Sequence, residues 1–218
     1  MVTTPRDKAS VAHPRREQII EAARAVIEEY GPDALTGQIA ERAGLARPNV
    51  YRHFASRDEL RLAVARNAYE ELQAKVLSRL DMGGTALDVI RAPISAQVLW
   101  ADRHPNLYRF LISHGYERSM QPDDKERRDS AIELAAAGAS RLPHFMDDPE
   151  AAAAVAVGLG GLIDASVSDW LGRRSETRKG LINRLSLHAW LIVDHHLRDL
   201  GVSINPEVPL PRLKLPRS

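Results

Sequence analysis

The segment ARPNVYRHFASRDEL, residues 46–60, concentrates side chains able to bind the edges and phosphates of a nucleic acid. Arginine presents a planar fork that pairs with O6 and N7 of guanine, so Arg47 and Arg52 are the base-reading candidates; a phosphate or solvent role fits Arg52 equally well. Asn49 suits adenine or a phosphate, and phosphate is favoured here. Pro48 offers an apolar ring to a thymine methyl, or simply opens a helix at a position where its missing N–H costs nothing. Other chemistries are poorly provided for. The chain has no cysteine, and none of its eight histidines is spaced with carboxylates for a metal, as in HExxH. His195 and His196 are adjacent and diverge around a helix. No catalytic residue, metal ligand or cofactor is expected. The run VGLGG at 157–161 follows no strand and does not match GxGxxG, so it reads as helix packing rather than a nucleotide loop.

Elements to hold that segment follow from apolar spacing. Ile19, Ile20, Ala23, Val26, Ile27 and Tyr30 recur at three and four residues, predicting a helix over 15–30 that Gly31-Pro32 stops. Thr36 opens a short helix with Ile39, Ala40 and Ala43 on one face, ended by Gly44 as a left-handed cap. A second short helix spans 47–54, with Val50 and Phe54 four apart and anchored on Ile39, Ala43 and the first helix. Ser56 and Glu59 form a capping-box signature for a long helix reaching about residue 80. Two short helices joined by Gly44-Leu45-Ala46 have helix-turn-helix form.

Beyond the Gly83-Gly84 break, helices are predicted over 85–103, kinked by Pro93, and over 106–114, about 124–141, 149–173 and 177–200. No alternating strand pattern occurs, so the fold class is all-α with about nine helices. The expected domains are a flexible basic arm at 1–14, a helix-turn-helix domain at 15–60, a second helical domain at 61–200 and a proline-rich tail at 201–218, extended or disordered.

The 218 residues carry a net charge of only +1, unevenly spread: +3 over 1–16, −5 over 17–41 and +4 over 42–66. Basic stretches bracketing an acidic one suit a local phosphate-binding face rather than a general coat, although a charge run also serves as a solvated helix face. Arg6, Lys8, Arg15 and Arg16 place an arm near a minor groove, or form a solubilising tail, the reading preferred. The apolar run from Ala151 to Ile163 falls short of the ~18 residues of a bilayer span, and the amino terminus lacks the apolar core of a secretory signal. No membrane association and a cytoplasmic location are therefore expected.

The stretch LTGQIAERAGLARPNVYRHFASRDEL, with its Tyr-x-His-Phe block and the following Ser-Arg-Asp-Glu-Leu, resembles the amino-terminal DNA-binding domain of the TetR family of bacterial repressors. The likeness covers residues 15–66; beyond them it lies in helix number, length and the RHPNLYRFL segment. It implies that Tyr51 and His53 bond the phosphate backbone and that Thr36 and Arg57 clamp it from two helix starts. For Thr36, helix capping and phosphate contact are compatible. Where Ala46 stands the family often has a serine or other polar cap, so that contact is lost.

The resemblance also implies an effector site and dimerisation through the last two long helices. Ala156 and Gly160, with other small residues, permit close helix approach, while Leu185, Trp190 and Ile192 belong to a final helix apolar around most of its circumference. These five are the interface candidates. For the pocket the candidates are Leu87, Ile90, Ile94, Val98, Trp100, Tyr108, Leu111, Tyr116, Leu159 and Ile163, an apolar inventory suited to a hydrophobic or amphipathic effector. The expected partners are thus a palindromic double-stranded DNA operator, a small-molecule effector and a second copy of the chain, in a ligand-released repressor. A helical enzyme and an adaptor without DNA binding are the rival readings; the adaptor leaves the basic 47–57 segment unexplained.

Overall fold

A computed structural model describes residues 5–80, 84–114, 142 and 144–210. Among them are eight helices: α1 (Pro5–Tyr30), α2 (Thr36–Arg42), α3 (Arg47–Val50), α4 (Arg57–Leu80), α5 (Ala86–Arg103), α6 (Pro105–His114), α7 (Pro149–Arg173) and α8 (Arg178–Asp199). The helix expected over 124–141 lies outside the described residues. Packing divides the chain into two units, one holding α1 to α3, α4 as far as Glu71, and α6, the other holding α4 from Leu72, α5, α7 and α8. The boundary thus falls inside α4 rather than at residue 61, and α6, expected in the effector domain, belongs to the first unit.

In that first unit α1 buries Ile19, Ala23, Val26 and Ile27, as its spacing requires. It begins at Pro5, ten residues before the expected start, so the stretch 5–14 is helical where a flexible arm was expected; Pro14 lies within it. Proline at the first helical position is well tolerated, and nothing between it and Pro14 breaks a helix. Residue Leu35 precedes α2 and has no side-chain acceptor, but Gln38 Oε1 accepts the Leu35 N–H at 2.8 Å. Thr36 is therefore the first helical residue rather than the cap.

The α2–α3 turn depends on Gly44, whose φ of 65° is open to glycine at little cost. Its N–H donates to the Glu41 carbonyl at 3.0 Å and the Leu45 N–H to Ala40 at 2.9 Å, the paired bonds of a Schellman cap. Helix α3 is shorter than the 47–54 predicted. After Val50 the chain tightens into turns in which the N–H groups of His53 and Phe54 both donate to the Val50 carbonyl, at 3.0 and 3.1 Å. Val50 and Phe54 are buried as anticipated. At α4 the Glu59 N–H donates to Ser56 Oγ at 3.0 Å, while the Glu59 carboxylate accepts the N–H of Ala55 at 2.6 Å. Half the capping box is as expected; its return bond reaches one residue further back.

Helix α6 packs on α1, and its Leu107, Tyr108, Phe110 and Leu111 are buried. Glu28 of α1 accepts the N–H groups of Asn106 and Leu107 at 3.3 and 3.2 Å, and the Glu28 carbonyl accepts from Asn106 Nδ2 at 2.8 Å. Arg61 of α4 stands 4.9 Å over the Phe110 ring and donates to the Pro32 carbonyl at 3.3 Å.

In the second unit α5 packs on α8, and α7 on both. Val98, Val167, Trp170, Leu181, Leu185, Val193 and Leu197 are buried there. Asp102 joins the three helices, accepting from Arg174 at 2.6 Å and Arg178 at 2.9 Å. The segment after α8 is not wholly free: Leu87 N–H donates to Pro206 at 3.3 Å and Leu210 N–H to Gly84 at 2.9 Å, fastening the stretch 201–210 to the start of α5. Residues 211–218 of the expected tail lie outside the described ones.

Taken whole, α7 is long and apolar enough to cross a membrane by length and composition, although its longest unbroken apolar run is shorter. Only 17% of its most apolar window is buried within the chain.

Candidate nucleic-acid interface and ligand cavity

Arg47, Pro48 and Asn49 open α3 and are exposed, ahead of buried Val50; Tyr51 and Arg52 follow, also exposed. A helix pinned by one apolar residue and presenting its first turn is the geometry by which a recognition helix meets base edges. Pro48 sits within that first turn, as its missing N–H allows. Thr36 is buried beneath this surface, and hydrogen bonding from Thr36 first, then from Arg47, holds the Tyr51 phenol below its ordinary value. Thr36, Arg47 and Tyr51 are therefore brought together. Arg57, exposed, is the first residue of α4, and His53 is half-buried in the turn between.

Arg16 takes a different place from the arm assigned to it. Its guanidinium donates to the His53 carbonyl at 2.5 Å and to Glu59 at 3.0 Å, and lies 4.0 Å over the Phe54 ring. It clamps the α3–α4 turn against α1, which a charge count along the chain does not reveal. The Ala55 N–H first, and Arg16 second, hold the Glu59 carboxyl below its usual range. Arg61 was likewise missed; burial lowers its ordinarily high pKa, with Arg57 adding repulsion. No spacing along the chain finds either: what marks them is the aromatic ring each guanidinium faces, Phe54 for Arg16 and Phe110 for Arg61, which shows only once the helices are placed.

The second unit holds a cavity of about 150 Å³, open on one side. Four of the expected residues line it: Ile90 and Ile94 of α5, Leu159 and Ile163 of α7. Pro93, within α5, lines it too. Of the other six, five lie elsewhere. Tyr108 and Leu111 belong to the α6 face buried in the first unit. Val98 and Trp100 are buried but not on the cavity, and neither is half-buried Leu87; an 18-residue helix shows the cavity only one face. Tyr116 lies outside the described residues. Phe145, Ala189, Val193 and Val76 complete walls that sequence spacing had not joined.

The interface candidates divide in the same way. Leu185 and Trp190 are buried within their own chain, at 0% and 6% exposure, so they are core rather than free surface. Ala156 and Gly160 line the cavity. Ile192 is exposed, and with it stand Leu187 and Leu191 of α8 and Val157 of α7, at 39% to 58% exposure. Helix α8 is apolar on two sides, and its own chain covers only one.

A short anchored helix after a glycine-capped turn, exposing arginine and asparagine, has the form of a DNA-binding helix-turn-helix. Residues 19–64 match the profile of the bacterial regulatory proteins, tetR family. These residues thus form a tetR-type DNA-binding domain. It is 39% identical over 80 residues to the HTH-type transcriptional repressor Rv1474c of Mycobacterium tuberculosis, a match spanning 36% of this chain and 42% of that protein. It is 30% identical over 118 residues to the HTH-type transcriptional activator FasR of Mycolicibacterium smegmatis, spanning 54% and 51%. The chain thus spans about half the length of the curated relatives it matches. A solved transcriptional regulator from Rhodococcus sp. RHA1 shares the fold at TM-score 0.67 and 22% identity, over 88% of this chain and 99% of that one.

Proposed function

We propose that the chain is a homodimeric repressor that binds a palindromic DNA operator and is released by a small hydrophobic effector held in the α5–α7–α8 cavity. The observation that carries the DNA reading is the exposed first turn of α3, Arg47-Pro48-Asn49, fixed by buried Val50. Arg47 and Arg52 read bases, with Pro48 against a thymine methyl, while Asn49, Tyr51, His53 and Arg57 hold phosphates and buried Thr36, expected among them, holds Tyr51 instead. The exposed Val157, Leu187, Leu191 and Ile192 support a second copy across α7 and α8, since apolar helix faces of this kind are ordinarily covered. The location that accords with this role is cytoplasmic. A repressor rather than an activator follows the relative of higher identity.

Two reading heads about 34–36 Å apart meet successive major grooves of one DNA face, and an effector acts by favouring another separation. The test is selection of bound duplexes from a random pool by the purified protein at a stated salt concentration. An enriched palindrome supports a dimeric sequence reader. A folded protein that enriches no sequence refutes it.

A further inference from the structure

Resting on the reading of α3 as the recognition helix, we propose that Arg16 is a positioning residue for sequence recognition. Without touching DNA it holds the turn from Tyr51 to Ser56, and with it Tyr51, Arg52 and His53, in the form that a specific site requires.

Helix α3 has four residues, too few to keep its shape by its own hydrogen bonds, and the chain from Tyr51 to Ser56 runs in turns and bends before α4 begins. Three of the residues assigned to DNA stand on that stretch. Its hold on the rest of the unit comes from Phe54, buried at 1% exposure, and from a residue of α1 that lies 37 positions earlier than His53. Arg16 Nη1 donates to the His53 carbonyl at 2.5 Å, Nη2 donates to Glu59 Oε1 at 3.0 Å, and the guanidinium plane lies 4.0 Å over the Phe54 ring. Glu59 Oε2 accepts the Ala55 N–H at 2.6 Å, so one carboxylate ties the arginine to the backbone of the same turn. A planar fork makes these three contacts together, whereas a lysine ammonium carries the same charge on a single nitrogen and has no plane to stack. Apparent affinity falls with the fraction of molecules in the binding-competent form. A turn released from α1 therefore weakens binding where a fixed geometry is read, and weakens it little where only backbone charge is felt.

The experiment measures binding of the full chain to the selected duplex and to a random duplex of equal length across a salt series. Wild type, Arg16→Lys, Glu59→Gln and the double variant are compared, with thermal melts showing which are folded at the assay temperature. Arg16→Lys is expected to weaken the selected duplex about 10-fold and the random one by less than about 2-fold, at the salt slope of the wild type. Glu59→Gln, which still accepts from Ala55, should weaken the selected duplex about 3-fold, and the double variant should lose less than the two single losses combined. Should Arg16→Lys not fold, Glu59→Gln carries the test alone, its loss again confined to the selected duplex. Equal weakening of both duplexes overturns the proposal, because a phosphate contact or a general loss of folded protein produces that result. Unaltered binding in Arg16→Lys overturns it too, as do single losses that combine in full. A folded wild type that enriches no duplex is a separate failure: it refutes the DNA reading itself, and the role of Arg16 falls with it.

Discussion

Replacing Glu28 by alanine removes a helix cap that α6 does not carry in its own sequence. The first turn of a helix leaves N–H groups without intrahelical acceptors, and a serine, threonine, aspartate or asparagine before it usually accepts one. Before α6 that place is held by His104, and the Asn106 and Leu107 N–H groups donate instead to Glu28, 78 and 79 residues earlier in the chain. Losing a cap costs about 0.5–2 kcal/mol, and losing a carboxylate from the positive end of a helix about 0.3–1 kcal/mol. Both bonds are on the long side, at 3.2 and 3.3 Å, and Asn106 is half-buried so water replaces part of the loss. The expected cost is therefore about 1–2 kcal/mol, a factor of about 5–30 in the opening equilibrium of α6. Amide hydrogen exchange reads it directly: protection across Leu107–Leu111 should fall by that factor, with a smaller loss in the part of α1 it packs on. Glu28→Gln keeps an acceptor without the charge and should lose about half as much. Unchanged exchange in Glu28→Ala, or an equal loss in Glu28→Gln, would refute the capping argument.

Arg47→Ala should relax preference at one base pair of the selected site by about 1–3 kcal/mol, whereas Arg57→Ala should weaken specific and nonspecific duplexes alike and flatten the salt slope by about one unit; equal effects from both variants would erase the division of labour between them. Leu191→Asp, at a position 58% exposed, should shift sedimentation from dimer to monomer without lowering helicity, and a persisting dimer moves the interface off α8. Arg174 first, and Arg178 with it, hold the Asp102 carboxyl below its ordinary value against the opposing effect of burial. A depressed carboxyl contributes stability above its unfolded pKa and loses it as pH falls through the folded one, so acid should loosen the α5–α7–α8 junction. In Asp102→Asn the acid-induced drop in melting temperature should be shallower; an identical pH profile means the cluster is screened by solvent.

What the sequence made legible is what neighbours along the chain decide. Gly44 as a left-handed cap, Ser56 before Glu59, and Val50 with Phe54 on one buried face are each settled within five residues, so spacing alone finds them. Other features depend on partners far apart. Trp190 and Leu185 read as interface because α8 is apolar all round, and periodicity does not say which side its own chain covers. Tyr108 and Leu111 sit close in sequence to cavity-lining α5, yet α6 turns to a different core. Arg16 looked like a free charge because its partners, His53, Phe54 and Glu59, lie some 40 residues on.

The attachment of α6 to α1 also bears on how the chain comes to be built. The unit that carries the recognition helix is discontinuous: its α6 follows all of α5, which packs with the other unit. During synthesis from the amino terminus the first 71 residues emerge with the side of α1 that α6 packs on still uncovered. That face closes only after α5 has been made. A truncation ending after α4 keeps every residue of the helix-turn-helix and yet exposes apolar surface, so it should be prone to aggregate, and a recombination point placed between the two units by sequence order alone would cut through one core.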